Sequence, residues 1–293
     1  NSSETIPVFD SGFPVDFAFM RIFAGSQEWY TSARLISGKR VWTQSDAAES
    51  SLDGMTFDSN SGWASKGSPS TYNWGNTYQS WMWKRHAGMD VICYEGDGVN
   101  GRGIAHSMND VPEMMIVKRR SSTEDWTVYH KGLNGGTNPY TRIITINSTG
   151  AEVDMSSTPE KVWKSTPTAT HFEIGSHARV NTDGEDYLAL LFSSIDNISK
   201  VGSYTGNGST GQTITLGFQP RFVIIRKYND AAHWLVLDTT RGWSSGDDKY
   251  LLLNSNAAQG DYEVGAPTSN GFTLVGDNDY NNSSSPYIYY AHA

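Results

Sequence analysis

The sequence predicts an all-β fold made of three related, tandem β-sandwich-like units with antiparallel sheets. The first observation is that short β-branched and aromatic runs are separated by Gly, Pro, Asn and Ser. The second is that one segment with a fixed internal spacing occurs three times. The third is that no long helical pattern is present, since stretches such as DAAES and NAAQG are long enough for a single turn only. Many short strands at this spacing are typical of sandwiches and small barrels.

The repeated segment combines an alternating apolar run, a basic residue, a polar turn and a tryptophan. Its copies are DFAFMRIFAGSQEW (16–29), EMMIVKRRSSTEDW (113–126) and RFVIIRKYNDAAHW (221–234). In each copy the first anchor residue precedes the tryptophan by 12 residues and the basic residue by four. This agreement predicts that the three tryptophans are buried structural anchors of related units: Trp29, Trp126 and Trp234.

Unit boundaries follow from the elements that recur around this segment. Similar polar turns follow each tryptophan, at TQSDAAE (43–49), INSTGAE (146–152) and LNSNAAQ (253–259). Each unit then closes on an aromatic-rich strand, at 78–84, 187–193 and 287–293. We therefore divide the chain into unit one (1–88), unit two (89–198) and unit three (199–293).

The opening strands of units two and three both end in Tyr-x-Gly-x-Gly, at YEGDG (94–98) and YTGNG (204–208). The glycines most simply provide a turn with positive φ after a strand. A phosphate-binding loop would need a helix after the glycines and usually a lysine. The sequence of unit one lacks the pattern of a full opening strand, which fits a cut end.

Composition and charge exclude several classes of function. The net charge of −9 argues against a general binder of nucleic acid or of anionic membranes. No stretch approaches about 18 apolar residues, so no membrane insertion is expected. Cys93 is the one cysteine and lies in an apolar run, which predicts a small buried hydrophobe rather than a disulfide or a cysteine-rich metal site.

The sequence contains no recognised catalytic motif, which predicts a protein that is not an enzyme and has no cofactor, catalytic residue or metal site. Its seven histidines do not recur across the units, which favours surface positions. Two alternatives stay open. Glu152 and Asp154 would share a strand face, as a glycosidase pair could. The loop GDNDYNNSSS (276–285) is rich in oxygen ligands for Ca²⁺, although such loops are more often polar turns.

Non-repeating aromatics in unit one are the candidate ligand-binding residues: Trp63, Tyr72, Trp74 and Tyr78. They lie in a stretch rich in Ser, Asn and Gly, and aromatic faces beside amides and hydroxyls can bind a sugar. The competing interpretation is that these residues cover loop cores or cap the end of a stack of repeats.

These motifs resemble a repeat found in virion structural and tail-associated proteins of marine tailed bacteriophages, including phages of cyanobacteria. The resemblance covers about residues 9–292. In units one and two it rests on LISGKRVWTQSDAAES (35–50) and MDVICYEGDGVNGRGIAHSMNDVPEMMIVKRRSSTEDWTVYHKGL (89–133). In unit three it rests on the motifs Tyr-Thr-Gly-Asn-Gly, Gly-Phe-x-Pro-x-Phe-Val and Trp. Unit one departs from the pattern at its opening. The family carries no established catalytic residues, so the resemblance assigns none here.

The resemblance implies a non-enzymatic virion structural protein, in a tail fibre, an appendage or a capsid decoration. Its location would be the extracellular virion. Its partners would be other virion proteins and further copies of itself in a homo-oligomer. Binding of a host-surface glycan or receptor for host attachment is an added role. The alternatives are a carbohydrate-binding, lectin-like module of a secreted marine bacterial protein and, less favoured, a glycan-degrading enzyme.

Overall fold

The computed structural model describes residues 9–23, 25–65, 78–85 and 88–293. The fold is nearly all β, with 42% of residues in strands and 5% in helices, and its several sheets are antiparallel. The predicted all-β, sandwich-like fold class is therefore confirmed. Within the described ranges, none of the helices has the length and apolar character that a membrane span requires.

The described part of unit one forms two small sheets and a single 3-10 turn at Arg34–Ile36. Its strands are β1 (Phe9–Asp10), β2 (Phe17–Ile22), β3 (Tyr30–Ala33), β4 (Lys39–Arg40), β5 (Ser50–Thr56), β6 (Gly62–Ser65) and β7 (Tyr78–Trp83). The strand order is β3-β2-β7 in one sheet and β1-β6-β5-β4 in the other.

Unit two has a six-stranded sheet and a two-stranded sheet. Its strands are β8 (Met89–Glu95), β9 (Arg102–Ala105), β10 (Met114–Arg119), β11 (Thr127–His130), β12 (Arg142–Thr145), β13 (Val153–Asp154), β14 (His171–Ile174) and β15 (Asp186–Phe192). The sheet orders are β13-β12-β11-β10-β15-β8 and β14-β9. The helical turns are Leu133–Gly136 and Pro139–Thr141, both 3-10, and α1 (Ala178–Asn181).

Unit three repeats the strand order of unit two. Its strands are β16 (Ser199–Thr205), β17 (Gln212–Thr215), β18 (Phe222–Lys227), β19 (Leu235–Asp238), β20 (Asp248–Leu252), β21 (Gly260–Tyr262), β22 (Pro267–Thr268), β23 (Gly271–Leu274) and β24 (Pro286–His292). The large sheet runs β21-β20-β19-β18-β24-β16, and the small sheet runs β17-β23-β22.

Both faces of each central strand are buried, which explains why these strands read as nearly continuous apolar runs. In β10, Met114 and Ile116 face a central core shared by all three units, whereas Met115 and Val117 face the core of unit two itself. The residues of β2 and β18 alternate between the central core and their own unit's core in the same way. The period-two alternation of a strand thus connects every unit to one shared centre.

The three anchor tryptophans link the units into a closed ring. All are buried, as predicted, and each donates its indole N–H to one or two backbone carbonyls at the start of the polar turn of a different unit. The bonds run from Trp126 to Trp42 and Ser45 (2.8 and 3.2 Å), from Trp234 to Thr145 (2.9 Å), and from Trp29 to Leu252 and Ser255 (2.9 and 3.2 Å). Unit two holds unit one, unit three holds unit two, and unit one holds unit three, which is the pattern of a cyclic trimer within one polypeptide.

Three buried cations repeat the same ring: Arg21, Lys118 and Arg226, the basic residues at equivalent positions. Lys118 donates to the carbonyl of Asp46 (3.0 Å) in unit one, Arg226 to that of Thr149 (2.8 Å) in unit two, and Arg21 to a carbonyl in unit three. Burial lowers the pKa of Lys118 to about 8 and the pKa values of both arginines to about 10, so the cations stay largely charged at neutral pH. Each cation therefore caps the turn that its unit's tryptophan also holds.

The Tyr-x-Gly-x-Gly motifs fasten the opening strands to the closing loops. In both motifs the tyrosine stacks on a tyrosine of the closing strand, and the N–H of the second glycine donates to an asparagine carbonyl. The second glycines have φ values of +65° and +68°, so the predicted turn with positive φ is confirmed. The participants are Tyr94, Tyr187, Gly98 and Asn181 in unit two and Tyr204, Tyr287, Gly208 and Asn281 in unit three.

The first glycine of the motif is required because the backbone of the closing loop lies against it. A Cβ at Gly96 would stand 2.1 Å from the carbonyl oxygen of Thr182. We expect Gly96→Ala to lower the free energy of unfolding by about 1–3 kcal/mol, the usual cost of overpacking. The control is Gly103→Ala, whose Cβ would meet its nearest atom at 3.6 Å and should change stability by less than about 1 kcal/mol. Urea denaturation measures both, and equal effects of the two substitutions would contradict this role of Gly96.

Candidate functional site

The candidate ligand-binding aromatics divide between the core of unit one and residues outside the described ranges. Trp63 is 1% exposed, stacks on Phe9 with ring centroids 4.8 Å apart, and donates its indole N–H to Ser80 Oγ at 2.9 Å. Tyr78 begins β7 and packs partly buried against the same core. Tyr72 and Trp74 lie outside the described residues. The structure thus places Trp63 between the sheets of unit one, where its ring has no exposed face for a ligand to stack on.

A groove of about 440 Å³ runs along β7, between units one and three. Residues 79–83 of β7 form one wall, and unit three supplies the other with Arg221, Phe222, Asp238 and Thr240. One hydrogen bond joins these walls, from Gln79 Nε2 to Asp238 Oδ1 (2.9 Å), and a second joins the two units nearby, from Trp83 Nε1 to the hydroxyl of Tyr290 (3.2 Å). Within the described ranges, β7 is an edge strand that pairs only with β2. The groove therefore follows β7 at a contact between units one and three.

A second cleft, of about 270 Å³, lies in unit two. Tyr140, Lys161, Trp163 and Lys164 line it together with the hydroxyl residues Thr141 and Ser156. Trp163 is 2% exposed, and its indole N–H has no hydrogen-bond partner among the described residues. Aromatic rings, ammonium groups and hydroxyls are groups that can contact a polar ligand with apolar faces.

The two carboxylates considered as a glycosidase pair, Glu152 and Asp154, both accept backbone hydrogen bonds in turns of unit two. Glu152 accepts the backbone N–H of Asn134 at 2.9 Å, and burial raises the pKa of its carboxyl. Asp154 accepts the N–H of Ser156 and pairs with Arg142 at 2.7 Å, and the hydrogen bonds from Ser156 lower its pKa. The backbone N–H of Glu152 also donates to a carbonyl of unit three (2.7 Å), so this residue contributes to the ring of inter-unit contacts.

The side chains of loop 276–285 are used in the loop's own structure. Asn278 Oδ1 accepts the N–H of Tyr280 (2.9 Å), and Asn281 Oδ1 accepts the N–H of Asn207 (3.0 Å). Asn181 plays the part of Asn281 in unit two, where its Oδ1 accepts the N–H of Asp97 (3.0 Å). In the described part of the chain, no group of three or more His, Cys, Asp and Glu side chains could hold a metal ion. These contacts show that the loop is a polar turn whose asparagine side chains bind the end of the opening strand.

Comparison with known proteins places the chain in a family. One family model, described as a domain of unknown function (DUF7483), matches residues 12–293. The chain belongs to the DUF7483 family. No curated protein and no solved structure is significantly similar to it. The DUF7483 match includes nearly all of unit one and the whole of units two and three, so the ring of tryptophans and the groove along β7 both lie inside it.

In this DUF7483 chain, the structure corrects one expectation about the histidines. His130 is not at the surface but 1% exposed, at the contact between units two and three. Its Nε2 lies 3.2 Å from the carbonyl oxygen of Tyr289, and its Nδ1 accepts the N–H of Gly132 at 3.0 Å. Nδ1 is thus the unprotonated nitrogen, and Nε2–H donates to the carbonyl. Burial lowers the pKa of the imidazole to about 4.

Cys93 of the DUF7483 chain lies in β8 and is partly buried against the central core. Burial raises the pKa of its thiol, which disfavours the reactive thiolate form. Its position agrees with the predicted role as a small hydrophobe.

Proposed function

We propose that this protein is a non-enzymatic structural component of a tailed-phage virion, in a tail fibre, an appendage or a capsid decoration. The observation that carries the proposal is the closed ring in which Trp29, Trp126 and Trp234 each hold the turn of another unit. A ring of this kind fixes three β units as one stiff body, which suits a load-bearing particle component. The sequence resemblance to a repeat of virion proteins supports the same role, with other virion proteins and further copies of this chain as partners.

The position of the chain in intact particles tests this function. Antibodies raised against the recombinant chain should label purified virions at a symmetric site, and mass spectrometry of those particles should detect the chain. Cryo-electron microscopy should then show density for the three-unit ring at that site. Detection of the chain in the infected-cell lysate, but not in purified particles, would contradict the proposal.

A carbohydrate-binding role is the second candidate, and the cleft in unit two favours it. The half-buried ring of Tyr140 borders hydroxyl and ammonium groups there, a combination suited to a host-surface glycan. On a glycan array, Tyr140→Ala should reduce binding by about tenfold, which corresponds to about 1.4 kcal/mol. Tyr262→Ala, at an exposed tyrosine that does not line this cleft, is the matched control and should bind as the parent does. Binding that Tyr140→Ala leaves unchanged would eliminate this cleft as the site.

A further inference from the structure

The cleft in unit two is built mainly by a segment that is longer than its counterpart in unit three. Sixteen residues (155–170) separate β13 from β14. Eight residues (263–270), which include the short strand β22, separate β21 from β23, the strand equivalent to β14. The longer segment supplies four of the six residues that line the cleft: Ser156, Lys161, Trp163 and Lys164. Insertions into single units of a repeat protein often form its binding face, so this segment is where a function specific to unit two is expected.

This segment is fixed against the small sheet of unit two. Trp163 forms an isolated β-bridge with Ile174 of β14, and the backbone N–H of Lys164 donates to the carbonyl of Glu173 at 3.0 Å. The ring of Trp163 is buried and lies edge-on to the ring of Tyr129, with centroids 6.1 Å apart. The walls of the cleft are therefore formed before a ligand arrives, which lowers the entropy cost of binding.

Two lysines of the cleft carry positive charge that no carboxylate of the described residues neutralises. Lys161 Nζ donates to the carbonyls of Met155 (3.2 Å) and Ser156, which fix the position of the ammonium group and leave its full charge. Lys164 is exposed, and its ammonium group forms no salt bridge within the described ranges. The cleft therefore presents one fixed cation and one free cation to a ligand.

The carboxylates that lie close to these lysines in the sequence or the sheet have other partners or face solvent. Asp154 pairs with Arg142 at 2.7 Å, and Glu173 Oε2 accepts the hydroxyl of Ser165 at 2.8 Å. Glu160 is exposed and forms no salt bridge in the described part of the chain. Because the protein as a whole has a net charge of −9, an anion is repelled by most of its surface. Two unpaired cations beside one preformed cleft therefore provide a local exception.

We propose that this cleft binds a sugar that carries an anionic group, either a sulfate ester or a carboxylate. The half-buried ring of Tyr140 packs on the apolar C–H face of the sugar, and the ammonium groups of Lys161 and Lys164 pair with the anion. The hydroxyl of Thr141 donates to the carbonyl of Asn138 (2.8 Å), so its lone pairs accept a sugar hydroxyl.

The size of the cleft favours a single charged sugar ring over a long stretch of polysaccharide. Its volume of about 270 Å³ lies just below the range of about 300–1,000 Å³ that is usual for small-molecule sites. The inference rests on the carbohydrate-binding role proposed above for the same cleft, and it adds the charge of the ligand.

Binding of the full chain to three immobilised tetrasaccharides, measured by biolayer interferometry, tests the proposal. Maltotetraose is the neutral probe, and sulfated maltotetraose and tetragalacturonate are the anionic probes. We expect at least one anionic probe to bind at least about tenfold more tightly than maltotetraose, and the tighter of the two identifies the anionic group. Raising sodium chloride from about 50 to about 500 mM should weaken binding of the anionic probes and leave that of maltotetraose unchanged.

A substitution at the free cation separates charge recognition from contact with the sugar. Lys164→Gln should reduce the preference for the anionic probe by at least about fivefold and change the affinity for maltotetraose by less than about twofold. Lys200→Gln removes the same charge from β16, outside the lining of the cleft, and is the matched control. It should change the affinity for each probe by less than about twofold.

The contrary outcomes distinguish this inference from the carbohydrate role on which it rests. Equal affinity for neutral and anionic probes, with binding that Tyr140→Ala weakens, would overturn the anionic preference and leave a sugar site. No binding of any probe up to about 10 mM would overturn both. Equal losses in Lys164→Gln and Lys200→Gln would indicate a general effect of charge, and displacement by inorganic sulfate at the same concentration as by the sulfated sugar would indicate a simple anion site. Either result overturns the inference.

Discussion

Trp126→Ala should lower the free energy of unfolding by about 3–5 kcal/mol, the range for truncating a large buried aromatic. The side chain is 0% exposed and belongs to the central core shared by the three units. Its indole N–H donates to two carbonyls of unit one, at 2.8 and 3.2 Å. Truncation therefore leaves a cavity at the centre and removes a hydrogen bond from each of two carbonyls at the polar turn of another unit.

Urea denaturation of the purified chain measures this loss, and Trp126→Phe is the matched control. Phenylalanine keeps most of the buried ring but cannot donate the hydrogen bonds, so we expect a smaller loss of about 1–3 kcal/mol. If Trp126→Ala unfolded at the same urea concentration as the parent, the residue would not be a structural anchor, and the ring of inter-unit bonds would lose its main evidence.

Acid should destabilise the protein through His130. The neutral imidazole is fixed by its two hydrogen bonds, and a proton on Nδ1 would remove the bond from the N–H of Gly132. Its pKa is lowered to about 4 by burial, whereas an unfolded histidine titrates near pH 6.5. As the pH falls through this interval the unfolded state binds a proton first, so stability is lost, by about 2 kcal/mol between pH 7.5 and pH 5.

Urea denaturation of the parent and of His130→Gln, from pH 7.5 to pH 5, measures the free energy of unfolding of each protein. The difference between the two isolates the contribution of His130. Burial also lowers the pKa values of His177 and His292, so the parent loses some stability from these groups with the same sign. The difference between parent and variant removes that common part. A pH dependence that His130→Gln leaves unchanged would show that His130 does not carry the effect.

The strand pattern and the repeat spacing predicted the fold class and the buried tryptophans, and physical reasons explain why. A residue that is buried at the same place in three related units has the same sequence spacing from the neighbouring apolar run in each unit, as Trp29, Trp126 and Trp234 do. Glycines needed at a turn with positive φ, such as Gly98 and Gly208, are equally visible in the sequence.

Contacts between units could not be predicted, because sequence spacing records what lies nearby within a unit. Nothing in the pattern around Trp126 indicates that its N–H reaches Trp42 rather than a carbonyl of its own unit. His130 was expected at the surface because it does not recur, yet it is buried where two units meet. Trp63 illustrates the same difficulty, since an aromatic in a polar stretch can face solvent or, as here, a second sheet.

The central claim is that the three units form one interlocked body, and hydrogen exchange of Trp126→Ala in increasing urea tests it most directly. Mass spectrometry of peptides from β2, β10 and β18 follows one unit each. The ring of contacts predicts that all three strands lose protection in a single transition, shifted to lower urea than in the parent. Exchange of β10 at low urea, with β2 and β18 still protected, would contradict the claim and show units that fold independently.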